Sequence, residues 1–162
     1  MPAVKKLFSE AAQTYPERFK GVDDWCGWIR GVYITTMKAD KALAAGNADQ
    51  ANSLILSLRK SFYELRDQTK SLQANDIVFA LEIESQKANP DASQIKSLTQ
   101  KLAESKLSPK AQGSADDFVK AKSDYTTKVN PIVADQKIDG GKLPELRSAT
   151  HTLYKAYGTQ LE

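Results

Sequence analysis

From Asp23 onward, apolar positions recur three or four residues apart: Trp25, Ile29, Val32, Ala39 and Leu43, with Thr36 in the same phase. That spacing puts one stripe along an amphipathic helix. Gly46 offers the left-handed residue that ends such a helix. A second stripe follows at Ala51, Leu54, Leu58, Phe62, Leu65, Thr69 and Leu72. The short connection at Gly46-Asn47 predicts that the two helices form an antiparallel hairpin spanning about 23–73.

The phase then slips. The stripe falls due at Asp76 but resumes at Ile77, Val78 and Leu81, and Asn75 and Asp76 are good capping residues. A helix break is expected there. Asn89-Pro90-Asp91 reads as a turn, and Ile95, Leu98 and Leu102 mark a helix ending before Ser108-Pro109. These segments make a shorter hairpin at about 75–105, followed by a polar linker with Pro109 and Gly113. Ser114 with Asp117 resembles a capping box that opens a helix through Phe118, Ala121, Tyr125, Val129 and Ile132. Pro131 should kink this helix and Gly140-Gly141 end it. Leu146, Ala149, Leu153 and Tyr157 form the last stripe, completing a hairpin at about 115–160.

No segment of useful length alternates with period two, so the chain is all-α. The expected architecture is one domain over 1–162, an up-and-down helical bundle of two long antiparallel hairpins with the shorter hairpin inserted between them. Leu58 and Leu153 occupy matching mid-helix positions and should be fully buried. Asp116-Asp117-Phe118 follows Asp23-Asp24-Trp25 by 93 residues, and Gly141 follows Gly46 by 95. That agreement suggests an internal duplication. Two unrelated amphipathic hairpins would also align this well, because a core stripe demands the same spacing.

With 41% hydrophobic residues and a net charge of +3, the chain is neither disordered nor membrane-spanning. Basic and acidic side chains alternate along polar faces instead of forming the basic stripe that phosphate binding requires, which argues against nucleic acid. The N-terminal residues from Met1 to Phe8 carry no apolar signal core. A cytoplasmic protein is the default expectation, and a periplasmic one if a signal peptide preceded this sequence.

Residues 39–66, Ala-Asp-Lys-Ala-Leu-Ala-Ala-Gly-Asn through Leu-Arg-Lys-Ser-Phe-Tyr-Glu-Leu-Arg, resemble the closing hairpin of small periplasmic b-type cytochromes of the four-helix-bundle kind. The resemblance implies a bundle topology. Glu64 stands where that family carries its haem-ligating histidine, so the resemblance does not extend to the haem ligands.

Chemistry-bearing residues are few. Cys26, Met37 and His151 are the candidates for a soft-metal site, set against a small core cysteine, a gap-filling methionine and an ordinary surface histidine. Asp23-Asp24 and Asp116-Asp117 fit helix capping better than cation binding. Trp25 and Trp28, with Phe19 and Tyr33, concentrate aromatic area at one end of the first helix, and one helix stripe does not easily bury two indoles. No catalytic motif is present, and no cofactor is expected. The sequence therefore points to a non-enzymatic binding or protein-interaction module, with a protein or small ligand as partner. The alternative is a small cofactor- or metal-binding bundle.

Overall fold

A computed structural model describes residues 8–10, 13, 22, 24–107, 114–135 and 137–158. Among them the chain is all-helical, 78% helix without a strand. It divides into two compact units, Met1–Ser71 and Leu72–Glu162.

The first unit is built on a hairpin of α1 (Trp25–Ala44) and α2 (Ala48–Gln68). Asp24 caps α1, its carboxylate accepting from the Gly27 N–H at 2.8 Å. A side chain at residue 27 would collide with that carboxylate, its Cβ falling 1.9 Å from Asp24 Oδ2, so the cap depends on glycine. At the far end Gly46 takes φ +74. The Gly46 and Asn47 amides donate back to Leu43 and Ala42, both at 2.9 Å. The left-handed residue thus satisfies the last carbonyls and reverses the chain. Asn47 then caps α2 by accepting from the Gln50 amide at 3.0 Å. Trp25, Ile29 and Leu65 form the buried cluster, with Phe8, Val22 and Trp28 against it.

The α2 stripe is not buried as expected. Only Ala51 and Leu65 are buried along α2; Leu54 and Leu58 are half-buried and Phe62 is 36% exposed. On α1, Leu43 is 57% exposed. Two helices share a single narrow seam, and an apolar stripe about 100° wide needs a second layer to cover it.

The break before the second unit comes earlier than Asn75-Asp76. Thr69 caps α2, Lys70 adopts φ 53, and the Ser71 amide donates to Arg66 O at 2.8 Å. A lysine here performs the reversal usually given to glycine. Asn75 and Asp76 lie inside the first turn of the next helix, and Gln73 caps it. Asp76 returns its carboxylate to the Gln73 amide at 2.9 Å.

In the second unit, α3 (Ala74–Ser85), α4 (Ala92–Glu104), α5 (Ala115–Val129) and α6 (Leu143–Leu153) close a ring. Each packs on the next and α6 packs on α3. A π-helical turn, Tyr154–Gly158, extends α6 against α3. The hairpin expected as an insertion is therefore half of a four-helix bundle. Nine of the 12 residues of α3 are buried, which fits its unbroken Ile77–Leu81 apolar run. A helix apolar on nearly all sides belongs in the interior. Leu81, Ile95, Leu102, Phe118, Val129 and Leu146 are fully enclosed, and Leu153 is buried as expected.

Helix ends in this unit are held by neighbouring helices. Arg147 of α6 donates to the carbonyls of Ser85 (3.1 Å) and Lys87 (2.9 Å), closing the C-terminus of α3. Lys122 of α5 does the same for α4 at Ala103 (2.8 Å) and Ser105 (2.7 Å). Buried Glu84 accepts from the Asp91 amide at 2.9 Å and pairs with Lys87, locking the α3–α4 turn. Cations at helix C-termini also meet the negative end of the helix dipole.

Two expectations for the last hairpin are corrected. Pro131 does not kink a continuing helix, because α5 stops at Val129 and the chain turns, with Ile132 and Val133 buried beneath the turn. Proline lacks the amide that would carry the helix further. Gly140-Gly141 opens a 3-10 turn, Gly140–Lys142, that leads into α6 under an Asp139 cap instead of ending a helix. Gly46 and Gly141 thus do opposite jobs, and the helices of the two expected hairpins differ in length: 20 and 21 residues against 15 and 11. The proposed equivalence of the two glycines does not hold.

Candidate functional site

The Asp24 cap sets the start of α1, and that start sets the two indoles. Trp25 and Trp28 lie one turn apart and stack, ring centres 5.5 Å apart and planes 15° from parallel. Trp25 faces inward and is buried. Trp28 is half-buried and meets Phe62 of α2 edge-to-face at 4.8 Å. Tyr33, half-buried, meets Phe8 in the same manner at 5.3 Å. Phe19 lies outside the described residues.

Sequence reasoning missed the apolar area beyond this aromatic end. Ile55 is 47% exposed and Phe62 36%, and the two are seven residues apart, on one face of α2 with half-buried Leu58 between them. Ile34 and Leu43 on α1 are 41% and 57% exposed. A signal for this was present. Leu54-Ile55-Leu56 is three consecutive apolar residues, which on a helix sweep about 200° and cannot all face one neighbour.

The soft-metal candidates are dispersed along the chain. Cys26 lies exposed on α1 and Met37 half-buried on the same helix, whereas His151 belongs to α6 of the other unit. Among the described residues no group of three or more His, Cys, Asp or Glu side chains is arranged to hold a metal ion. Glu64 is exposed and pairs with Lys60 at 3.7 Å. The same residues contain no helix long and apolar enough to cross a membrane. Asp24 acts as a cap, Asp23 lies outside the described residues, and Asp116 and Asp117 stand in the first turn of α5, where Ser114 accepts from both their amides.

His151 has a specific partner of its own. Its Nδ1 lies 2.9 Å from Glu82 Oε1, with the imidazole half exposed and the carboxylate largely covered. Behind that pair sits Tyr125, buried in the bundle. Burial raises the pKa of its hydroxyl above 10.0; Thr150 and Thr99 pull it back, and the Glu82 charge pushes it further up. Tyr157 is raised likewise, by burial and then by Asp117.

Neither family models, nor curated proteins, nor solved structures give a match to this chain. Function has to be read from its own surfaces.

Proposed function

We propose that the protein is a non-enzymatic interaction module, and that the α1–α2 hairpin receives an amphipathic helix from a partner protein. One observation carries the reading. The hairpin keeps Ile34, Leu43, Ile55 and Phe62 between 36% and 57% exposed, while its two helices bury only a narrow seam. Ile55 and Phe62 share one face of α2, and exposed apolar side chains gathered on one face mark interaction surfaces; a helix laid along a helical hairpin completes a bundle. The Trp28–Phe62 pair supplies the anchor. Aromatic side chains dominate interface energetics, and truncating one costs about 2 kcal/mol or more of binding energy. Phe62→Ala should therefore weaken binding about thirtyfold.

A photo-crosslinking amino acid placed at position 55 or 62 of the full chain in cells tests this. Adducts of one defined size are expected from both positions, and none from position 60, whose lysine is exposed beside Glu64. Adducts absent from 55 and 62, or equally strong from 60, would contradict the reading.

A further inference from the structure

Each helix of the second unit sends one polar side chain to a common neighbourhood around the Tyr125 hydroxyl. Glu82 comes from α3, Thr99 from α4, Tyr125 from α5 and Thr150 from α6. Thr99, Tyr125 and Thr150 are almost entirely shielded from solvent. Three oxygens in this group, Glu82 Oε2, Thr99 Oγ1 and the Tyr125 hydroxyl, are buried and make no hydrogen bond to another protein atom. Thr150 differs: its proton goes to the Leu146 carbonyl at 2.8 Å, which leaves the oxygen able only to accept. Thr150 and Thr99 stand near enough to the Tyr125 hydroxyl to favour its ionised form as hydrogen-bonding groups, though neither makes a well-formed bond to it, and the Glu82 charge opposes them, so the four groups belong to one neighbourhood.

Buried polar atoms are nearly always satisfied, and three unsatisfied ones converging from three helices call for a shared partner. We propose that the centre of this bundle binds one internal water molecule. The donor and acceptor inventory selects water over other small occupants. Tyr125 and Thr99 each offer a hydroxyl proton, while Glu82 Oε2 and Thr150 Oγ1 each offer a lone pair. Two donors and two acceptors match the valence of one water, and internal waters commonly make two to four such bonds. A sodium ion would leave both hydroxyl protons without an acceptor. An ammonium ion would leave them equally idle. Through Glu82, whose other oxygen meets half-exposed His151, the water joins a polar chain that reaches the surface.

Water-oxygen magnetic relaxation dispersion on the full chain counts long-lived internal waters directly. Relative to wild type, Thr99→Val and Tyr125→Phe should each lose the amplitude of about one water, whereas Thr99→Ser, which keeps the hydroxyl, should retain it. Near-ultraviolet circular dichroism confirms that each variant is folded. Should neither deletion fold, the wild type and Thr99→Ser still decide, because a wild type without long-lived water overturns the proposal. Equal amplitudes in wild type and folded Thr99→Val also overturn it. So does a signal present in sodium chloride and absent in choline chloride, which would assign the site to a cation.

Discussion

The two units use the same kind of helix and reach opposite ends. In the second unit three amphipathic helices and the mostly buried α3 close a ring, so each helix packs on two others and Phe118, Leu81, Ile95 and Leu146 are sealed inside. In the first unit the described hairpin buries a seam of Trp25, Ile29, Val32, Ala39, Ala42, Ala51 and Leu65 and leaves larger side chains outside it. The bundle also ties its helix ends across the fold through Arg147 and Lys122. The caps of the hairpin are local, from Asp24 and Asn47. Amphipathicity therefore states which face is apolar. The number of neighbours decides whether that face becomes core or surface.

The comparison can be broken most forcefully at Phe118. Phe118→Ala should cost the bundle about 3–5 kcal/mol, the usual range for a buried aromatic. The half-buried Leu58→Ala in the hairpin should cost about 1 kcal/mol, below the range for core leucines. Equal losses in urea denaturation would erase the distinction.

Arg147→Ala should destabilise the bundle by about 1.5 kcal/mol, because it removes two charge-assisted bonds, one to the part-buried Ser85 carbonyl and one to the exposed Lys87 carbonyl. Asp24→Ala should cost about 1 kcal/mol, felt in the hairpin alone. Leu43→Gln and Ile55→Gln should each stay within about 0.5 kcal/mol, as surface substitutions do. A larger loss at either site would place it in a core.

The alkaline limb sharpens the contrast without any effect at neutrality. Tyr125 is harder to ionise folded than unfolded, so above pH 10.0 the unfolded chain releases its proton first. The folded state then holds more protons, and stability falls as pH rises. Bundle unfolding followed from pH 8 to 11 should show this decline. Tyr125→Phe should flatten it.

Much of the bundle was legible in the sequence. Ile95, Leu98, Leu102, Leu146 and Leu153 lie buried where the period placed them, because a helix held inside a ring buries the whole of its stripe. The same reasoning failed at Leu58 and Phe62, since periodicity carries no information on how many layers will cover a face. The break at Lys70 was hidden because lysine gives no sign of a left-handed conformation, whereas Gly46 does. Gly140-Gly141 was misread because glycine marks helix starts as well as stops. The Trp25–Trp28 stack follows from their spacing. The Glu82, Thr99, Tyr125 and Thr150 neighbourhood does not, since it joins four helices through tertiary packing alone.

Both tryptophans of the chain lie in α1, so indole fluorescence reports the hairpin alone, while far-ultraviolet circular dichroism reports all helices. Urea denaturation followed by both signals tests the difference in closure most directly. Regions with few buried contacts open first, so the fluorescence transition is expected at lower urea than the main loss of helix. Superimposable transitions, the signature of one cooperative core, would contradict the account.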